Sequence, residues 1–258
     1  MAEKSRSIAR AVFNRDVIES VLFFVALGLV WEFSVIYFEV KSYLLPTLSD
    51  IFRELWMSRG LLWEQTLVTL NEVLLGFAYA VVLGVPIAAA IYFVPIARRT
   101  IYPLMIALQS IPKVGLAPII IVWFGYGLSS KVIMAFLFAF FPIVISTLGG
   151  LGTTSEYLIE HFQALRASAW TTFWKLRVPS ALPNFVDGCK VAMPLAVIGA
   201  VVGEFVGSNN GLGNLILLAT GSSNSTLTFA ALFSVTALSL FLFFLIELLG
   251  RLVWWRSL

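Results

Sequence analysis

The chain has 258 residues, 60% of them hydrophobic by type and 12% charged, with a formal net charge of +3. Soluble domains run at about 45–50% apolar and about 25% charged, so a water-soluble enzyme, a disordered chain and a fibre are excluded. The mean hydropathy of +0.95 reads instead as an all-α, polytopic membrane protein.

Taken in order, Lys4, Arg6, Arg10 and Arg15 precede an apolar run from Val17 to Phe38. That run is too long for a signal-peptide core and has no small-residue cleavage site, so it reads as a retained first span. A helix needs roughly 20 apolar residues to cross hydrocarbon. Six segments qualify, at about 17–38, 68–94, 101–124, 132–151, 188–207 and 228–250. Between the first two, Ile51, Leu55, Trp56, Leu62 and Trp63 within residues 43–65 suggest an amphipathic helix in the outer interface. The third segment carries Pro103, Pro112 and Pro118 with Lys113 between them, so it cannot be one straight lipid-facing helix. Trp31, Trp123, Trp254 and Trp255 fall near span ends, as aromatic-belt anchors do.

With the N-terminus inside, Lys4, Arg6, Arg10, Arg15, Arg98, Arg99, Arg166, Lys175, Arg177, Lys190, Arg251 and Arg256 fall on the cytoplasmic side. Lys41, Arg53, Arg59 and Lys131 fall outside. This bias predicts both termini in the cytoplasm. It also puts the connection at 152–187 inside and the Gly-, Ser- and Asn-rich connection Gly207–Thr228 outside. The inner connection predicts a helix over about Glu156–Trp174, with Leu165, Ala169 and Phe173 at four-residue steps, before Pro179 and Pro183. Such a helix packs either on its own membrane domain or into a soluble partner.

These residues resemble a family. Permease subunits of type I ABC importers carry E-A-A, three residues, Gly, nine residues, I-x-L-P in this connection. Glu160 stands at the Glu position, and Ala164, Leu165, Ala167 and Ser168 match the frequent A-x-x-L-G-A-S form. Leu176–Pro179 fills the I-x-L-P end. His161 and Phe162 replace the two alanines, and Arg166 replaces the glycine. LQSIPKVGLAPIIIVWFG (108–125), GEFVGSNNGLG (203–213) and LLPTLSDIF (44–52) are similar to segments of the sulfonate, taurine and nitrate importer permeases.

The resemblance implies a coupling helix, with Glu160, Ala164, Leu165, Arg166, Ala167, Ser168 and Pro179 docking on a cytoplasmic ABC ATPase dimer. It implies a tail, first span and interfacial helix over 1–65, a type-1 transmembrane domain over 66–251 and a cytoplasmic tail over 252–258. Further implied are a bacterial-type inner membrane, a homodimer, and an extracytoplasmic solute-binding protein, with membrane lipid but no nucleic acid as partner. No G-x-x-x-x-G-K-[ST] loop occurs, so ATP and Mg are expected on the partner ATPase and no cofactor, metal or catalytic residue on this chain.

Intramembrane polar groups are costly and usually face a bundle interior or water. Gln109, Ser110 and Lys113 therefore suggest a translocation pathway that attracts an anion, the alternative for Lys113 being a structural counterion. Glu204 reads either as a gate residue paired with Lys113 or as a structural hydrogen-bonding group. Glu32 reads as a helix–helix contact, Glu72 as a solvated carboxylate near a span end and Cys189 as a small packing residue. The expected solute is a small organic or inorganic anion, sulfonate-, taurine- or nitrate-like, or a small heterocycle or aromatic acid. Rivals are a secondary transporter or channel, which usually shows internal repeats and paired intramembrane carboxylates, a lipid-metabolising enzyme, which needs clustered His or acid groups, and a membrane scaffold.

Overall fold

The computed structural model describes residues 2–252, with side chains over 18–251. Arg256, Trp254, Trp255 and nearly all of the 252–258 tail lie outside the described residues, as do the side chains of Lys4, Arg6, Arg10 and Arg15. Every regular element among the described residues is a helix.

Among the described residues five helices are long and apolar enough to cross a membrane, and a sixth crossing arises if one sharply bent pair counts as a span. The five contain the stretches Ile18–Tyr37, Arg59–Phe93, Leu128–Gly152, Ala169–Gly207 and Ser225–Arg251. The bent pair is α4 (Pro95–Gln109) followed by a 3-10 turn (Lys113–Leu116) and α5 (Ala117–Phe124), and the direction changes by 91° at the break. The cause lies in the sequence. Pro112 offers no N–H and disfavours helical backbone at Ile111 before it. Pro86, Pro142, Pro183 and Pro194 are accommodated inside long helices, as membrane helices tolerate.

One compact unit comprises residues 1–59 and 218–230. It holds α1 (Ala2–Tyr37), α2 (Leu48–Met57) and the facing ends of α10 (Leu212–Gly221) and α11 (Ser225–Leu252). Thr47 caps α2, its hydroxyl accepting from the Asp50 amide at 3.2 Å. Glu32 of α1 ties α2 in place, accepting from Ser49 N–H at 3.3 Å and Ser49 Oγ at 2.7 Å. Glu32 is thus a helix–helix contact, as its position suggested. Trp31 donates to the Pro46 carbonyl at 3.2 Å and lies edge-on to Phe229, centroids 5.8 Å apart. The amphipathic stretch is shorter than its pattern implied. It ends at Met57, and Leu62 and Trp63 already belong to α3 (Arg59–Phe93).

The second unit comprises residues 60–217 and 231–258. Its core is the pairing of α6 (Leu128–Gly152) with α9 (Val178–Gly207), seamed by Met134, Ala135, Phe138, Ala139, Ala192, Met193, Ala196 and Ala200, all buried. Small residues set the spacing. A Cβ on Gly199 would lie 2.6 Å from the Met134 carbonyl, and one on Gly150 would lie 2.8 Å from that of Ala181. Apolar packing supplies little net drive inside lipid, so close backbone approach is the available source of helix association. The outward faces carry large exposed apolar groups such as Val122 (82%) and Trp123 (73%), the surface of a lipid-immersed bundle. Cys189 is buried in the α9 seam, in line with its expected packing role.

Candidate functional site

The connection after α6 is two helices, not one. α7 (Glu156–Ala164) ends in a left-handed cap, with Arg166 at φ 53°. The Arg166 N–H donates to the Gln163 carbonyl at 2.8 Å and the Ala167 N–H to that of Phe162 at 3.0 Å. This is the paired bonding of a Schellman motif. Ser168 then caps α8 (Ala169–Thr172), its hydroxyl accepting from the Thr171 N–H at 3.2 Å. The expected single helix over Glu156–Trp174 is therefore corrected, and Leu165, Ala169 and Phe173 do not share one helical face. The same geometry explains the motif: its glycine position is the left-handed residue, and its serine opens the next helix.

Within this connection Glu160, Ala164, Leu165, Arg166 and Ser168 are exposed, while Ala167 and Pro179 are half-buried. No residue of α7 is buried. Tyr157, Leu165 and Trp170 are 74%, 67% and 70% exposed. The C-terminal side is anchored. The Val178 N–H reaches the Phe173 carbonyl across a π turn (Phe173–Arg177), just before Pro179, which has no N–H to give. Arg177 bonds the Tyr92 hydroxyl and lies over the Tyr92 and Phe93 rings at 5.2 and 5.9 Å. Phe173 packs edge-on to Phe93 at 5.3 Å. Through the π turn, α8 and α9 run as one apolar helix of 39 residues, Ala169–Gly207.

At the bend between α4 and α5, Gln109 and Ser110 are exposed and Lys113 is half-buried. The Lys113 ammonium lies 5.6 Å from the Phe138 ring centre and 4.8 Å from that of Phe141. Among the described residues no carboxylate comes within ion-pair distance of it.

Glu204 lies elsewhere, at the far end of α9, with 0% of its surface exposed. It accepts from Thr69 Oγ1 of α3 at 2.6 Å and from the Gly213 N–H at the start of α10. Thr69 Oγ1 also accepts from the Leu212 N–H at 2.9 Å, and Gln65 accepts from Gly211. The carboxylate fits because Gly211 (φ 101°) and Gly213 have no Cβ: one on Gly213 would stand 2.8 Å from Glu204 Oε2. Glu72, 1% exposed, joins this node, with Lys131 Nζ at 3.9 Å. One expectation fails here: Glu72 is not solvated. Lys131 beside it is 7% exposed. Periodicity places both near span ends but cannot see partners more than a hundred positions away. The available signal was Gly211-x-Gly213 after a lone acid in an otherwise uncharged run. Among the described residues no group of three metal-ligating side chains converges.

Residues 80–255 match the family model described as binding-protein-dependent transport system inner membrane component. The chain is 36% identical over 242 residues to the formylaminopyrimidine transport permease protein ThiX of Halalkalibacterium halodurans, covering 93% of this chain and 96% of that one. It is 27% identical over 155 residues to the taurine transport system permease protein TauC of Escherichia coli, covering 60% and 56%. In fold it matches a chain of the inward-facing MetNI methionine ABC transporter, with a TM-score of 0.65 at 22% identity over 75% of this chain and 96% of that one. Spans, motif-bearing connection and relatives agree: the chain belongs to the binding-protein-dependent transport system inner membrane component family and is the permease subunit of a type I ABC importer.

Proposed function

We propose that two copies of this chain form the translocation pathway of an importer whose α7–α8 connection docks on a cytoplasmic ABC ATPase dimer. An extracytoplasmic binding protein delivers the solute, ATP and Mg are held by the ATPase, and both termini face the cytoplasm. The observation that carries this reading is the contrast within the connection: Tyr157, Leu165 and Trp170 are exposed, yet the backbone after them is bracketed to Tyr92 and Phe93. Apolar groups of that size on a protruding loop mark an interaction surface. Glu160 and the Ala164–Ser168 turn sit within that surface, and Pro179 fixes the register of the helix leading away. A two-state element biased by nucleotide is what such coupling requires. The secondary-carrier alternative draws no support from the relatives.

Gln109, Ser110 and Lys113 line the path, at the bend where non-helical backbone is tolerated if it borders a cavity. Full burial of Glu204 favours the structural of its two roles. For the solute, the much fuller match to a formylaminopyrimidine permease than to a taurine permease supports a small heterocycle. Lys113 above two phenylalanine rings suits one bearing a negative charge.

The test is purification of the complex with its ATPase, followed by uptake in vesicles. Deleting residues 160–168 removes the ATPase from the complex, whereas Lys113→Ala keeps it and lowers uptake. An ATPase retained after the deletion would end the coupling reading, and unchanged uptake would end that of Lys113.

A further inference from the structure

The geometry points to a phospholipid site: the cavity between the α3 end, the α4 start and the α6 end binds the phosphate of an anionic phospholipid. The cavity holds about 440 Å³ and is lined by Ile91, Tyr92, Arg98, Tyr102, Gly149 and Gly152, among others. Its floor is bare backbone, since a Cβ on Gly149 or Gly152 would meet nothing within 4 Å. Its lining holds one cation, with two more close by in sequence or contact. Arg98 lines it, Arg99 follows, and the Arg177 guanidinium bonds the hydroxyl of Tyr92 in its wall.

These cations lack the carboxylate neighbours that three other cations of the second unit have. Lys190 pairs with Asp187 and Glu247, Arg251 with Glu247, and Lys131 lies near Glu72. Among the described residues no carboxylate lies within 4.0 Å of a side-chain nitrogen of Arg98, Arg99 or Arg177. Unpaired cations beside hydrocarbon call for a counter-ion, and basic pockets between membrane helices take lipid head groups. A phosphodiester monoanion suits the site: Arg98 and the Tyr102 hydroxyl donate to it, while Ile145 and Leu148 receive the glycerol and upper acyl carbons. Inorganic phosphate offers the same oxygens without the apolar part, which would leave that half of the lining unfilled.

The inference rests on the proposed function only in taking this end of α3 and α4 as lying at a membrane surface. The test is native mass spectrometry of the full-length permease–ATPase complex in detergent, supplied with phosphatidylglycerol, phosphatidylcholine or inorganic phosphate. Phosphatidylglycerol should be retained several-fold over phosphatidylcholine. Arg98→Gln should bring it down to the phosphatidylcholine level. So should Gly149→Leu, which fills the floor and leaves every charge in place. Inorganic phosphate at millimolar concentration should not displace it. Equal retention of the two lipids, retention unchanged in both variants, or displacement by inorganic phosphate alone would each overturn the site. The ATPase subunit is counted in the same spectra, so its absence from the wild-type complex would speak against the coupling reading, and a wild-type complex without preference for phosphatidylglycerol against the site.

Discussion

The two ends of the Ala169–Gly207 helix are built on opposite principles. At the α8 end, apolar side chains stand in the open and backbone caps do the local work: Arg166 closes α7 and Ser168 opens α8. At the Glu204 end, polar side chains are sealed from solvent: Glu204 is held by partners from α3 and α10, while Glu72 Oε2 is buried without a hydrogen-bond partner. One end is closed within the chain and the other is open. In the proposed coupling, the helix between them carries displacement from the open end to the sealed one.

The largest effect should follow from breaking the sealed end. Glu204→Ala leaves the Gly213 amide without its acceptor and the Thr69 hydroxyl with only the Gln65 carbonyl, at 3.2 Å. Leaving a buried donor without its acceptor costs about 1–3 kcal/mol. The expected outcome is a permease that melts well below wild type in detergent. Glu204→Gln, which keeps an acceptor for Thr69, should lose less. Equal melting of Glu204→Ala and wild type would mean that the node is ornamental.

At the open end the expected pattern is reversed. Leu165→Asp alters a residue that is 67% exposed, so folding stability should stay within about 0.5 kcal/mol. Affinity for the ATPase should fall about tenfold or more, the loss of one interface anchor at about 1.4 kcal/mol per decade. Titrating detergent-solubilised permease with the ATPase subunit measures this. A stability loss with unaltered affinity would make the loop an internal packing element and erase the difference between the ends.

The open end was the more legible of the two in the sequence. Motif residues there are neighbours in the chain, so Glu160, Leu165 and Ser168 fall together whatever the fold does. Hydropathy likewise resolved the long spans, and Pro112 announced the bend between α4 and α5. The sealed end joins Thr69, Glu72, Lys131, Glu204 and Gly211, whose proximity is created only by packing. No periodicity carries that, and near a span end a carboxylate such as Glu72 looks solvated. The break at 165–168 was hidden for a different reason. Its left-handed residue is an arginine, so a scan for glycine and proline runs straight through it.

That arginine gives the smallest and most local test. A residue with a Cβ pays about 1–2 kcal/mol in left-handed backbone, whereas glycine enters it freely but brings a more disordered unfolded chain. Arg166 has an opposing merit, a cation two residues beyond the α7 C-terminus, worth about 0.3–1 kcal/mol against the helix dipole. Arg166→Ala removes the charge and keeps the strain, while Arg166→Gly removes both. The glycine variant should therefore exceed the alanine variant by about 1 kcal/mol, read as the difference between their melting curves, and differ little from wild type. If alanine proves equal to glycine, the left-handed cap is absent in solution. Residues 156–174 would then form the single helix that their composition suggests, and Leu165 would rotate onto the face of Ala169 and Phe173.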